Sequence, residues 1–224
     1  MLVSCWSAKG GVGTTVVATA LALTLARGAP TGALLVDLDG DAPAVLGVPE
    51  PQSPGVGEWL AAGSDVPADG LARIEVRATP HLALLHRGGA TVEPGASARA
   101  EVLAGLLAGE SRPVVVDCGR LDGTPTPAAE VRRVLAASST HSVLVTRGCY
   151  LALRRALALP LRPSSVVLVD EPGRSLGRLD VEEVLGVPVT AQIPWDPSVA
   201  RAVDAGLLAG RLPRGLERAM RRAA

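Results

Sequence analysis

Ser7-Ala8-Lys9-Gly10-Gly11-Val12-Gly13-Thr14-Thr15 stands between an apolar run, Leu2–Trp6, and a stretch of helical period, Thr14–Arg27, that stops at Gly28. A glycine-rich turn joining a buried strand to a helix N-terminus is where a phosphate belongs. The first N–H groups of a helix lack intrahelical partners, and the helix dipole favours an anion beside them. Glycines let the backbone curl round phosphate oxygens with no Cβ in the way. Thr15 falls where the hydroxyl of such a loop holds Mg2+. The lysine that usually follows the last glycine is Thr14 here, and Lys9, ahead of the glycines, is the only lysine in the chain. Two other readings compete at this point. One is a structural glycine turn. The other is a dinucleotide fingerprint, Gly11-x-Gly13-x-x-Val16, with Asp37 or Asp39 on a ribose hydroxyl; it lacks its third glycine and leaves Lys9 without a role.

Beyond the loop, apolar runs of strand length alternate with helical patterns, which predicts βαβ units and a mostly parallel sheet. Strands are expected at Leu2–Trp6, Ala33–Leu38, Arg73–Ala78, Leu82–Leu85, Pro113–Asp117, Ser142–Thr146, Ser165–Val169 and Val189–Ile193, the third and fourth as a hairpin on a sheet edge. Helices are expected at Thr14–Arg27, Val56–Ala62, Ala98–Leu107, Ala128–Ala137, Tyr150–Leu159, Val181–Leu185 and Ser198–Ala205, with a last one after Pro213. Pro49–Gly57 reads as a surface loop. The fold class is α/β, a doubly wound, mostly parallel sheet flanked by helices, in a single domain over residues 1–224.

Composition narrows the function. The chain has 224 residues, 48% of them hydrophobic, enough for one sizeable core. That core is aliphatic, because Phe is absent and the aromatics are Trp6, Trp59, Trp195 and Tyr150. Acidic and basic residues balance at 22 each, so overall charge argues for neither a nucleic acid nor a membrane partner. Cys5, Cys118 and Cys149 are widely spaced beside apolar runs and read as reduced core thiols, not a disulfide framework or a zinc site. No signal segment is apparent, and Val16–Ala26 is too short to span a bilayer, so a cytoplasmic protein is expected.

Three acids stand at strand ends. Val36-Asp37-Leu38-Asp39 closes the second strand, where a carboxylate faces a site or solvent because burying it is costly. Val114-Val115-Val116-Asp117 is an apolar strand ending in an acid, the arrangement that holds water-coordinated Mg2+ beside a phosphate loop. Near the C-terminus, Ile193-Pro194-Trp195-Asp196-Pro197-Ser198 ends a strand and opens a helix, with Asp196 or Ser198 as its cap.

The order of these features, and the lysine that precedes the glycines, resembles the deviant Walker A ATPases of the ParA/MinD family from Leu2 to about Leu208. The resemblance implies a P-loop NTPase fold, ATP/ADP and Mg2+ as cofactors, and a homodimer in which Lys9 reaches the partner's nucleotide. A compact ammonium suits a narrow phosphate cradle better than the wide fork of arginine. It further implies that Gly10, Gly11, Val12, Gly13, Thr14 and Thr15 wrap the phosphates and that Asp39 positions the attacking water. Thr15, Asp37 and Asp117 then serve the metal, and Pro194 and Trp195 contact the base. Two departures stand out. Thr14 removes the in-cis lysine, which implies weak or absent hydrolysis. No asparagine exists in the chain to read an adenine, and Val169-Asp170-Glu171 occupies that neighbourhood.

Within the family, a Gly-Val-Gly-Thr-Thr loop is most like the CpaE/TadZ branch, which implies pilus-assembly, secretion or polarity proteins as partners. A ParA-like partition ATPase on nonspecific DNA and a non-hydrolysing dimeric scaffold are the alternatives. The basic tail, with Arg201, Arg211, Arg214, Arg218, Arg221 and Arg222 against only Asp204 and Glu217, reads as a helix packed on the domain. Peripheral membrane contact through it is the competing role.

Overall fold

The computed structural model describes residues 1–63, 67 and 69–223. Among them, eight strands form one sheet: β1 (Leu2–Ser7), β2 (Ala33–Asp37), β3 (Val76–Thr79), β4 (Leu82–Leu85), β5 (Val114–Arg120), β6 (His141–Arg147), β7 (Ser165–Val169) and β8 (Val189–Ile193). Their order is β3-β4-β2-β5-β1-β6-β7-β8, and every neighbouring pair is parallel except the edge pair β3 and β4. The expected edge hairpin is therefore present.

The helices are α1 (Thr14–Gly28), α2 (Ala42–Leu46), α3 (Val56–Ala61), α4 (Gly70–Arg73), α5 (Ser97–Ala108), α6 (Pro127–Ser138), α7 (Tyr150–Ala158), α8 (Arg178–Leu185), α9 (Pro197–Asp204) and α10 (Arg214–Ala223). Strands buried on both faces read as continuous apolar runs, and here the two faces feed two cores. Leu2 and Trp6 of β1 join Val114 and Val116 of β5 under α5 and α6. Val3 and Cys5 join Leu35, Val115 and Val143 under α1 and α10. Full burial of such side chains is worth about 1.5–3 kcal/mol each, which makes the sheet centre the rigid part of the molecule. The indole N–H of Trp6 donates to the Ser142 hydroxyl at 2.9 Å, so its polar edge is satisfied inside the core.

Several expectations need correction. α2 has no counterpart among the expected helices: it is a single turn with a proline in its first turn, and the Asp37 carboxylate accepts its first N–H. The strand expected from Arg73 begins at Val76, because Gly70–Arg73 closes into the short helix α4. The Pro49–Gly57 stretch is not wholly surface. Gly55 is buried, and a Cβ there would strike the His86 carbonyl and the Gly88 backbone. Cys5 and Cys118 are core thiols pushed well above their ordinary pKa by burial, but Cys149 is half-exposed at the start of α7. The tail helix α10 docks through Leu216, Ala219 and Met220, with its arginines left outside. Among the described residues no helix is long and apolar enough to cross a membrane.

Candidate functional site

β1 lies between β5 and β6, and the chain leaves to opposite faces of the sheet around it. That reversal opens a crevice at the C-terminal strand ends, the usual ligand position in such sheets. The glycine-rich loop fills it. Gly11 and Gly13 have φ of 74° and 94°, and a Cβ on either would meet nothing within 4 Å. Their requirement is thus backbone conformation, and the space over the loop is open. α1 begins at Thr14 with no side-chain cap and no acid in its first turn, so its leading N–H groups have no side-chain acceptor. The side chain in the lysine position, Thr14, is buried.

Across from α1, β2 and β5 run in register so that Asp37 and Asp117 are side by side. Both residues are fully buried. Asp37 spends its oxygens locally: Oδ1 accepts from the N–H of Asp39 at 2.9 Å and Gly40 at 2.7 Å, and Oδ2 from that of Ala42 at 3.0 Å. Burial still holds its carboxyl above the ordinary value, against those donors. Asp37 thereby shapes the turn that presents Asp39.

Asp117 is less satisfied. Its Oδ1 accepts from the Gly119 N–H at 2.9 Å, and Oδ2 is enclosed without a hydrogen-bond partner. Burial pushes its carboxyl up to about 7; the nearby Thr15 hydroxyl pulls it down and the Asp37 charge pushes it further up. Two neighbouring buried carboxylates, a free oxygen and a threonine hydroxyl make a hard-oxygen set suited to Mg2+, which takes few protein ligands and keeps waters and phosphate oxygens. The residues present fit that ion.

Asp39 stands further out, paired with Arg132 of α6 at 3.0 Å. Arg132 also donates to the Leu38 carbonyl at 2.7 Å. Asp39 lies directly over Gly119, whose φ is +58°, and a Cβ at that glycine would overlap the carboxylate. Lys9 is half-buried, and among the described residues it makes no ion pair or side-chain hydrogen bond. Its charge helps hold both Cys149 and Glu171 below their ordinary values, the larger causes being an N–H donor from Ala152 and a hydrogen bond from Arg174 respectively.

On the other flank of the loop is a cleft of about 320 Å3 with mostly apolar walls, bounded by Gly11–Gly13, Val16, Val169 and Ile193 and closed by Pro194 and Trp195. Trp195 is 52% exposed. Asp196 is a helix cap, as its position suggested: Oδ1 accepts from the Ser198 N–H at 2.8 Å and Oδ2 from its hydroxyl at 2.7 Å. The Asp170 carboxylate accepts from the Gln192 amide at 3.1 Å.

The fold brings the loop, Thr15, Asp37, Asp39, Asp117, Pro194 and Trp195 to one edge of the sheet. Two residues at this edge escaped the sequence. Arg132 holds Asp39, and Arg147, at the end of β6, donates to the Gly11 carbonyl at 2.6 Å. No local motif marks either arginine.

Comparison with known proteins agrees with this geometry. The profile of the CobQ/CobB/MinD/ParA nucleotide binding domain, CbiA, matches residues 3–209. Among solved structures the chain is similar to a ParA family ATPase from Chlorobium tepidum TLS, with a TM-score of 0.77 and 20% identity over 98% of this chain and 96% of that one. It is similar too to the septum site-determining protein MinD complexed with Mg-ADP from Pyrococcus horikoshii OT3, with a TM-score of 0.76 and 20% identity over 99% and 93%. An ATP complex of a Cyanothece McdA variant gives 0.68 and 17% over 98% and 93%. Identities this low speak for the fold. No curated protein sequence matches the chain.

Proposed function

This chain belongs to the CobQ/CobB/MinD/ParA nucleotide-binding domain family, and from that premise we propose that it is an ATP-binding dimeric switch with slow or absent hydrolysis. The observation that carries the reading is the uncapped α1 N-terminus facing Asp117, whose Oδ2 has no partner. Backbone N–H groups of residues 10–15 bind the phosphates, and their donors are positioned before the ligand arrives. Thr15 and Asp117 hold Mg2+, directly or through water, and Asp37 adds charge from its capped position. When bound, the ion supplies charge neutralisation to the phosphate oxygens. Pro194 and Trp195 cover the base.

Asp39 is the residue for orienting an attacking water, and Arg132 now holds it. Phosphoryl transfer depends on electrostatic stabilisation, and Thr14 brings no charge where a lysine would stand; such a loss costs about 10²-fold or more in rate. Lys9 precedes the glycines and is free to turn toward a facing copy of the chain, where low dielectric would strengthen its contact with a phosphate. ATP and self-association then promote each other. The resemblance of the loop to the CpaE/TadZ branch supports a role in placing pilus or secretion components. Calorimetry with ATP and ADP, with and without Mg2+, tests the central claim; no heat and no thermal shift at millimolar nucleotide would end it.

A second reading has its own observation. Arg211, Arg214, Arg218, Arg221 and Arg222 are all exposed on or just before the docked α10. A basic surface of this kind would suit a partition ATPase on nonspecific DNA, for which retention on DNA falls steeply with salt. Salt-independent retention, or none, removes it.

A further inference from the structure

Arg147 lies where the phosphate loop meets the apolar cleft, and none of the roles above uses it. Its guanidinium donates to the Gly11 carbonyl at 2.6 Å and pairs with Glu171 at 3.4 Å. Both contacts take N–H groups at the edge of the plane and leave its face open. The guanidinium carbon lies over the Trp195 ring, 5.9 Å from the indole centroid. The distance is at the outer limit of a cation–π contact. A flat base between two planes needs about 7–8 Å, one stacking distance on each side. The gap is therefore short of a base thickness by about 1–2 Å. Trp195 is half-exposed and lies in the loop after β8, so it has room to yield.

The edges of the cleft carry little that could read a base. Its walls are the valines, Ile193 and Pro194. The Asp196 carboxylate is occupied by Ser198, and that of Asp170, near the strand end, by Gln192. Asp204 is exposed at the rim, and a carboxylate there accepts from the amino groups that adenine and guanine both carry. The Nε of Arg147 is enclosed and has no hydrogen-bond partner, so it reads no base edge.

We infer that Arg147 and Trp195 form a stacking clamp that holds the purine by its faces, so that the site takes ATP and GTP with little preference. This rests on the nucleotide-binding reading and adds a binding residue and a ligand class to it. Stacking on an aromatic or a guanidinium is tolerant of base identity because every base presents a π-face. The planar fork of arginine is required, and an ammonium cannot replace it.

The test compares ATP, GTP and inorganic tripolyphosphate, each with Mg2+, by calorimetry and by tryptophan fluorescence. Wild type should bind ATP and GTP within about threefold of each other, and both should quench fluorescence that Trp195→Phe removes; tripolyphosphate should bind without quenching. Arg147→Lys keeps the cation and a donor for Gly11 but has no face. It and Trp195→Ala should each weaken ATP and GTP about tenfold or more, as expected for loss of one stacked partner, and leave tripolyphosphate unchanged. ATP preferred over GTP by about thirtyfold would overturn the clamp. So would Arg147→Lys binding both nucleotides normally, or weakening tripolyphosphate as much as ATP. If tripolyphosphate and both nucleotides fail to bind wild type, the nucleotide reading itself falls, and the clamp with it. Binding of tripolyphosphate without any gain from a base leaves the phosphate loop standing and removes only the clamp.

Discussion

Replacing Asp117 with asparagine should stabilise the metal-free protein at neutral and alkaline pH while abolishing its response to Mg2+. The buried carboxyl is lifted from the ordinary 3.8 to about 7, chiefly by desolvation. Between those two values the folded chain keeps a proton that the unfolded chain has released, so stability falls as pH rises across that window. At 1.36 kcal/mol per pKa unit the cost is about 2 kcal/mol at pH 5 and about 4 kcal/mol at pH 8. Asparagine has the shape of the protonated acid, its Oδ1 can still accept from the Gly119 N–H, and it carries no charge to desolvate. The gain from Asp117→Asn should therefore grow by about 2 kcal/mol between pH 5 and pH 8. Urea denaturation followed by circular dichroism at those two pH values, in EDTA and without nucleotide, reads it directly. A variant no more stable than wild type at pH 8, or a gain equal at both pH values, would refute the reasoning. The same variant should show no Mg2+-dependent increase in ATP affinity.

Lys9→Ala should abolish ATP-dependent self-association in sedimentation velocity while the protein without nucleotide sediments as wild type does; identical behaviour of both proteins with ATP and Mg2+ would replace the switch by a constitutive scaffold. Turnover should be far slower than a typical kinase, and Asp39→Ala should lower whatever rate is measured about 10²-fold without weakening ATP binding, a split that a phosphate-release assay beside calorimetry can deny. Glu58→Ala should cost about 2–4 kcal/mol, because its carboxylate accepts from the N–H groups of Gly55, Gly89 and Ala90 at 2.8 Å each and ties α3 to the loop after β4. Those bonds outweigh its own desolvation and hold Glu58 below the ordinary glutamate value, so its contribution is present above pH 4.5 and lost as pH falls below it; a variant matching wild type in urea at pH 7 would show the ties to be worth little.

The sheet was legible because strands buried on both faces have almost no choice of composition. Val114–Val116 and Val166–Val169 announce themselves, and a glycine-rich loop can follow only one strand. The edge hairpin was legible from its two short runs. What failed was short: α2 is five residues with a proline, below any period a sequence can display, and α4 sits in four residues that read as the start of a strand. The acids were found by position, and the resemblance alone gave Asp39 the water and Asp37 the metal; the residues themselves did not separate the two. Asp37 and Asp39 are two residues apart and look interchangeable. Only the turn, in which Asp37 accepts three backbone N–H groups, decides that one shapes the loop and the other faces outward. Arg132 and Arg147 reach their carbonyl partners across 94 and 136 residues of chain, and no pattern in one sequence encodes contacts of that range. Cys149 reads like its two buried counterparts because all three adjoin apolar runs; its place at a helix start follows from the expected helix after it, but its partial exposure is a tertiary fact.

The charges around the loop bear on how the proposed site would function with Thr14. Among the described residues, Arg132 is matched to Asp39 and Arg147 to Glu171, so both arginines spend much of their charge on acids of the same edge. Asp37 and Asp117 remain, buried side by side; among the described residues Lys9, ahead of the loop, and Arg87, against Gly40, make no ion pair. A bare triphosphate would meet two carboxylates there and only backbone dipoles and threonine hydroxyls in return, an arrangement that low dielectric makes strongly repulsive. Mg2+ would act on both sides at once, because one divalent ion between them offsets part of the charge of the carboxylates and of the phosphates. A lysine at position 14 would have supplied part of that charge permanently. On the proposed function, its absence should make occupancy of the site depend on the metal and, beyond the metal, on a second Lys9 from a facing subunit, which ATP titrations of wild type and Lys9→Ala with and without Mg2+ would check. If the proposal holds, Thr14 in place of a lysine turns a nucleotide site that could be complete in one chain into one completed by what joins it.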